Sequence, residues 1–421
     1  MDVALDCAII VRIFNTICFQ LTSPLSCDYQ NKYNLKHNEG RVFRIMKVLY
    51  ISLVDWFWIK QRPQQICEEL SKKGNNVDFF CKIPWRPTNK GYSHTNDNKS
   101  KKRIFKVNPN LRILRQFVLP VSSLLTIRKI NNILLRKRIS KLLKANKYDV
   151  MILTHPSQVD LLKSKSLDHV KIIYDCMDDQ LRDQTGKSLE RSKKMEESLI
   201  NLSNSVVCSS LHLVHVLQER YSTTSKFQVI NNGVDFNRFA VKPTRVINDT
   251  TFETEKGLRI TYVGTVGTWF DFDTINRLAL SIKNASFFIV GPINTTIPSE
   301  MESNVRFLGS RPYSEVPNYL WKSDILIMPF IVNKTVESVN PVKLYEYLAT
   351  GKPVLCVKYG ETLQFEKVLY LYKSPSEAEI KLKEIINKLS EQNNHVAERR
   401  SFAKANDWEK RASDFVEIFN K

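Results

Sequence analysis

Lys47–Cys81, KVLYISLVDWFWIKQRPQQICEELSKKGNNVDFFC, reads as strand, helix, strand. Lys47–Leu53 is a short apolar run rich in β-formers, the pattern of a buried parallel strand. Ile66–Lys73 has helical character, and Gly74 ends it. Asn76–Cys81 is a second strand. This spacing opens a doubly wound α/β domain. The loop after the first strand of such a domain faces the ligand crevice. Trp56, Trp58, Lys60 and Arg62 are therefore candidates for ligand contact, or else a hydrophobic plug between domains.

Upstream, residues 1–45 read as an extension with no role in the fold. Ala4–Leu21 is fairly apolar but contains Asp6 and Arg12, and negative rather than positive charge precedes it, unlike a signal peptide. A weak membrane anchor is the alternative. Met46 leads directly into the first strand.

Downstream, Lys99–Lys147 holds fifteen Lys/Arg and no Asp or Glu. Its basic residues alternate with apolar ones, in LRILRQFVLP and then LLTIRKINNILLRKRISKLLK. Read as helices, both segments place Leu/Ile/Phe on one face and Arg/Lys on the other, the pattern of a helix lying on an anionic membrane. A solvated basic face that packs its leucines inward is the alternative. No motif supports nucleic-acid binding.

Tyr148–Leu153 and Val170–Asp175 are further strands. His155 follows the first, and Asp175, Asp178 and Asp179 lie at the end of the second. A histidine and carboxylates gathered there could orient or deprotonate a hydroxyl. A structural His-Pro loop and a helix-capping Asp pair are the competing readings. Ser205–Cys208 and Lys226–Ile230 complete the series, and polar Val241–Lys256 reads as a linker. A second α/β series begins at Leu258–Val263, with strands at Ser286–Val290, Val305–Leu308, Asp324–Met328 and Pro353–Val357. Gly264-Thr265-Val266-Gly267 makes a small-residue turn that lets backbone approach phosphate, though it is not a dinucleotide fingerprint. Asp271-Phe272-Asp273 matches the DxD of metal-dependent sugar transferases but reads as a helix start.

Glu337–Pro353, ESVNPVKLYEYLATGKP, reads as a short helix with Asn340 as its N-cap, Pro341 at the first helical position and Gly351 at its end. Lys343 and Glu346 are three apart on one face near the positive end. A helix N-terminus with a lysine in its first turn suits a phosphate, and a carboxylate one turn later suits a vicinal diol. A capped helix with a surface ion pair is the plainer reading.

The 421 residues suffice for two domains, and 43% hydrophobic content excludes a disordered chain. The formal charge of +20 implies an anionic partner. Eight scattered cysteines form no CxxC pair and no Cys/His cluster with metal-ligand spacing, which suits a reducing cytosol. No run of eighteen apolar residues occurs.

From Met46 to Lys421 the chain resembles the GT-B glycosyltransferases of family 4, or group 1, and is most similar to bacterial polysaccharide and teichuronic-acid-type transferases. The resemblance is carried, in order, by QRPQQICEELSKKGNNV, YDVMILTHP, IIYDCMDD, VINNGVDFNRF, ITYVGTVGTWFDFD, VRFLGSRPYSEVPNYLWKSDILIMPF and NPVKLYEYLATGKPV. The tail FAKANDWEKRASDFVEIF resembles the final helix that crosses back to the first domain.

The resemblance implies two Rossmann-like domains facing across a cleft. An acceptor domain would span 46–240 and a linker 241–257. A nucleotide-sugar domain would span 258–400 and the crossover helix 401–421. It implies transfer from a UDP- or GDP-sugar to a hydroxyl of a cell-surface polysaccharide or lipid-linked precursor. The hexosyltransferase would retain configuration, without metal or other cofactor. Its place would be the cytoplasm, on the inner face of the plasma membrane, held there by residues 99–147 and with no nucleic acid bound. A catalytically silent, membrane-docked scaffold is the alternative.

Gly264, Gly267, Gly291, Arg311 and Tyr313 would line the donor site with Asn340, Lys343 and Glu346. His155, Asp175 and Lys343 would serve the chemistry, with Trp56, Trp58 and Arg62 at the acceptor. Two departures stand out. The family's glutamates are spaced i, i+8, but eight before Glu346 stands Ser338, and Glu337 is one residue further. The basic pair after the second domain's first strand is replaced by Thr265 and Thr268.

Overall fold

The structure is a computed structural model. It describes residues 35–38, 41–57, 60–83, 102–119, 125–162, 167, 169–182, 184–223, 226–244, 249–254 and 257–421. Trp58 and most of the expected extension lie outside the described residues. Of that extension, β1 (Leu35–Asn38) and β2 (Arg41–Arg44) form an antiparallel hairpin. Arg44 donates to Asp149 at 3.0 Å.

The first large sheet contains β3 (Lys47–Ile51), β4 (Asn76–Ile83), β5 (Ile104–Asn108), β6 (Leu111–Phe117), β7 (Val150–Leu153), β8 (Lys171–Cys176), β9 (Ser205–Cys208) and β10 (Phe227–Val229). Their order across the sheet is β10-β9-β8-β7-β3-β4-β6-β5, all parallel except the β5–β6 pair. α1 (Arg62–Lys72) makes the crossover from β3 to β4. Val48–Ile51 and β7 are buried because both sheet faces are covered, which is why these strands read as continuous apolar runs.

The second sheet contains β11 (Leu258–Val263), β12 (Ala285–Val290), β13 (Val305–Gly309), β14 (Ile325–Met328), β15 (Val354–Val357) and β16 (Tyr370–Tyr372). It is fully parallel, in the order β13-β12-β11-β14-β15-β16. Strand order therefore reverses between β3 and β7 in the first sheet and between β11 and β14 in the second. Crevices of open α/β sheets form at such points, outside the carboxyl ends of the strands.

The expected linker contributes to the second core. Asp249 accepts from Phe252 N at 3.3 Å, and the Phe252 ring is fully buried against Phe288 and Tyr319. The C-terminal helix crosses back as expected. Its residues Trp408, Ala412, Phe415 and Phe419 join the core formed by β3, β4 and α1.

The basic stretch divides into two kinds of structure. LRILRQFVLP, expected as a helix, contains strand β6. Leu111, Ile113 and Leu114 are buried, and two of its arginines find carboxylates from distant strands and loops. Arg112 grips Asp78 at 2.7 and 2.6 Å, and Arg115 grips Asp55 at 3.1 and 2.5 Å. These charges are neutralised inside the fold, which a local charge pattern does not reveal. The second half is a helix, α2 (Leu125–Ala145). Leu135, Ile139 and Leu142 enter the core, while Ile130, Ile133 and Leu134 remain exposed beside Lys129, Lys137, Lys141 and Lys144.

Candidate donor and acceptor site

The helices that follow in the chain are α3 (Leu211–Tyr221), α4 (Val342–Thr350) and α5 (Trp408–Asn420). α4 is held at the second switch point. The Tyr347 hydroxyl donates to Val263 O at 3.1 Å and accepts from Val263 N at 2.8 Å, pinning α4 to the end of β11. Gly351 closes the helix in the left-handed region at φ 83°, as its position in the sequence predicts. The N-terminus differs from the sequence reading. Pro341 occupies the N-cap, and Asn340 does not cap. Its Oδ1 accepts from Asn232 N at 3.0 Å, and its Nδ2 donates to Glu361 at 3.1 Å. Pro341 has no N–H or side-chain oxygen to offer, and the amide of Asn340 is engaged across the cleft instead.

Lys343 and Glu346 are brought together beneath the Gly264 loop. A Cβ on Gly264 would overlap Lys343 Cε and stand 2.6 Å from the Tyr262 hydroxyl, so only glycine leaves room for this lysine. Burial holds the Lys343 ammonium below its ordinary pKa, and Glu346 partly offsets that. Among the described residues the Lys343 ammonium has no hydrogen-bond or ion-pair partner. Burial raises the pKa of Glu346, while the Tyr313 hydroxyl, donating at 2.9 Å, and Lys343 oppose the rise. Gly291, at φ 148°, sits against the Gly264 carbonyl, where any Cβ would overlap it. Gly267 packs under the ring of Trp269.

Arg311 is directed elsewhere. It donates to Asp249 at 2.7 Å and to the Tyr319 hydroxyl at 2.9 Å. Burial works against the Asp249 charge, but Arg311 and the Phe252 amide hold its pKa below the usual carboxylate range. The cation beside Tyr313 is Arg238, 4.3 Å from the ring centroid, and it donates to Tyr313 O at 3.1 Å. Its charge helps to lower the pKa of Glu346. Arg238 was not singled out from the sequence, although it lies in VINNGVDFNRF. Asp271 of the DxD match caps a helix, accepting from Thr274 N at 2.9 Å.

In the first domain, Arg62 and Asp175 form one buried ion pair at 3.0 Å. Arg62 also donates to Asn231 O at 3.1 Å, and Tyr50 donates to Asp175 at 2.8 Å. The two were expected to serve acceptor and chemistry respectively. Both lie under the strand ends, with their polar atoms engaged by each other and by the 231–232 turn. Trp56 packs edge-on against Phe79, with centroids 5.0 Å apart. His155 stands just past β7. Its Nδ1 accepts from Ser157 N at 3.1 Å and lies 2.9 Å from Ser157 Oγ. Burial and the neighbouring Lys82 bring its pKa down to about 4, so at neutral pH the proton sits on Nε2. Asp179 is taken by Arg220, at 2.9 Å to each oxygen.

Two domains, each with a crevice at its switch point, and a helix returning from the second to the first make the GT-B fold. Solved structures agree. Sucrose-phosphate synthase from Thermosynechococcus elongatus superposes with a TM-score of 0.65 at 14% identity, covering 89% of this chain and 98% of that one. Anabaena HepE in complex with UDP-glucose gives 0.63 at 13% identity, covering 89% and 99%. Residues 259–388 match the family described as Glycosyl transferases group 1.

Most of the second domain is thus similar to the group 1 glycosyl transferases. The Gly264 loop, Tyr313 and α4 all fall within the stretch that matches this family. A curated relative, described as a putative teichuronic acid biosynthesis glycosyltransferase TuaH of Bacillus subtilis strain 168, is 29% identical over 218 residues. That alignment covers 48% of this chain and 54% of the relative, so the chain spans about half the length of the curated relative it matches. Among the described residues no helix is long and apolar enough to cross a membrane.

Proposed function

We propose that this chain transfers a glycosyl unit from a nucleotide-diphosphate sugar to a hydroxyl of a cell-surface polysaccharide or its lipid-linked precursor. The observation that carries the reading is the unpartnered Lys343 in the first turn of α4, lying across Gly264 at the switch point of the second sheet. A cation, a helix N-terminus and exposed backbone converge there, the combination that binds phosphate. Glu346, one turn further on, offers a buried carboxylate to a ribose diol. The UDP-glucose complex of HepE and the teichuronic acid description of TuaH support the donor class and the cell-envelope setting.

In this reading Lys343 and the amides at the start of α4 stabilise negative charge on the departing diphosphate, without metal. Neutral His155 positions the acceptor as a hydrogen-bond donor rather than abstracting its proton, because Nδ1 is already occupied by Ser157. Retention of configuration follows from the family resemblance. The exposed Ile130, Ile133 and Leu134, flanked by lysines, support docking on the inner face of the plasma membrane. Each basic residue near an anionic surface contributes about 1 kcal/mol, so the docking weakens with salt.

A silent scaffold is the second reading. It is favoured by Ser338 where the family places a glutamate and by the threonines in place of the basic pair. Incubating the purified protein with UDP- and GDP-sugars, and measuring nucleotide release and transfer, separates the two. Loss of turnover in Lys343→Ala and Glu346→Ala supports the transferase. Full turnover in both variants would refute this site.

A further inference from the structure

Outside the cleft, α1, α5 and the turn at Asp235 border a cavity of about 470 Å³. It lies where the chain crosses between the domains. Val234 on the outgoing crossing and Asp407 on the returning one pair as a parallel bridge, and Trp408 N donates to Val234 O at 3.0 Å. Asp407 Oδ2 accepts from Phe236 N at 3.2 Å.

Five carboxylates and three cations line this cavity. Each cation is already paired. Lys72 holds Glu69 at 2.5 Å, Lys73 holds Glu409 at 3.3 Å, and Arg44 turns to Asp149, outside the lining, at 3.0 Å. Among the described residues Asp235, Asp407 and Glu417 are left with no ion pair. In a chain of formal charge +20 the cavity is therefore a local pool of negative charge. Burial raises the pKa of Asp407 against the amides of Glu409 and Phe236, and the charges of Asp235 and Glu409 add to the rise.

Gln65 is a second, independent sign of a ligand. It lines the cavity and is only 5% exposed, yet its side-chain amide has no hydrogen-bond partner among the described residues. Neither amide atom is sealed within protein, so the amide opens onto the cavity. A buried amide without a partner is costly, and a bound donor relieves it.

The spacing selects the ligand. Asp407 caps α5 and Glu417 stands ten residues further, about 15 Å along the axis. Among the described residues no group of three His, Cys, Asp or Glu could hold a metal ion. A point cation cannot bridge such a row, whereas ammonium groups strung on an aliphatic chain can, with Trp408 in the lining to cover the methylenes.

We propose that this cavity binds a linear aliphatic polyamine, its ammonium groups on Asp235, Asp407 and Glu417 and one N–H donated to the Gln65 side-chain oxygen. The ligand ties α1 of the first domain to both crossings. The proposal is independent of the transferase reading.

The test is calorimetric titration of the full chain with spermine, putrescine and magnesium chloride, in wild type, Glu417→Lys, Gln65→Leu and Glu398→Lys. Glu398 is exposed and lies outside the cavity, so its variant carries the same charge change elsewhere. Spermine is expected to bind wild type at one equivalent, about tenfold more weakly to Glu417→Lys, several-fold more weakly to Gln65→Leu and unchanged to Glu398→Lys. Putrescine, too short to reach along the row, should bind more weakly than spermine. Thermal melts show that the variants fold, and exposed Glu417→Lys decides the outcome where buried Gln65→Leu does not. Absence of spermine binding to wild type, or undiminished binding to Glu417→Lys, overturns the proposal. An equal loss in Glu398→Lys does so too, because it reports overall charge and not this cavity. Magnesium binding as tightly as spermine, with the same loss in Glu417→Lys, overturns the polyamine class.

Discussion

The Tyr313 hydroxyl donates to Glu346 Oε1 at 2.9 Å, joining the loop after β13 to the first turns of α4. Burial raises the carboxyl pKa, and this hydrogen bond is the largest opposing effect. Tyr313→Phe should therefore push the Glu346 pKa up further and leave a buried carboxylate without its donor. A cost of about 1–2 kcal/mol, roughly tenfold in nucleotide affinity, is expected. Titration of UDP into wild type and variant checks it; equal affinities would separate Glu346 from the nucleotide.

Gly264→Ala should displace Lys343, because the new methyl overlaps Cε of that side chain. Loss of UDP affinity by about tenfold or more is expected, with modest change in melting temperature. Gly291→Ala meets backbone in place of a flexible side chain and requires φ 148°, so it should destabilise the domain itself. Thermal melts and UDP titrations of both variants distinguish the two effects.

The Arg62–Asp175 pair predicts a stability change without a donor-binding change. Asp175→Asn removes the charge that compensates a buried guanidinium and should cost about 3 kcal/mol. Chemical denaturation reads the loss. UDP binding by the second domain should be retained under native conditions, whereas a selective loss of UDP affinity would tie Asp175 to the nucleotide site.

His155 gives a pH dependence. Its ordinary pKa of 6.5 falls to about 4 in the fold through burial and Lys82. Between those values the unfolded chain binds more protons than the folded one, so stability is lost as pH falls from 6.5 towards 4. With the ring partly exposed, the effect is about 2 kcal/mol. The slope of unfolding free energy against pH across this window should flatten in His155→Gln.

The clasp between the domains supplies a last prediction. Glu361 accepts from Leu211 N at 3.0 Å and from Asn340 Nδ2 at 3.1 Å, linking the start of α3 to the residue before the α4 cap. Ser210 Oγ adds a bond to Ser338 O at 3.1 Å. Glu361→Ala should open the cleft, increasing the radius of gyration measured by solution scattering, while Glu361→Gln keeps a carbonyl acceptor and stays closer to wild type. An unchanged radius in Glu361→Ala would show that the clasp does not hold the domains together.

The sequence determined the features written in local pattern. The apolar runs at Lys47–Leu53, Tyr148–Leu153 and Leu258–Val263 specify buried parallel strands, and Gly351 marks the end of α4. Lys343 and Glu346 are legible as a pair because a helix places residues three apart on one face. Only the tertiary structure decided where charges end. Arg112 and Arg115 look like membrane-seeking residues until Asp78 and Asp55 arrive from elsewhere in the chain. Arg62 and Asp175, 113 positions apart, cancel in the core, and Arg311 turns to Asp249. Asn340 reads as a cap until Asn232 and Glu361 claim its amide. The physical reason is that strand and helix patterns are fixed by neighbours along the chain, whereas a buried charge or amide is satisfied by whichever partner folding brings within about 3 Å.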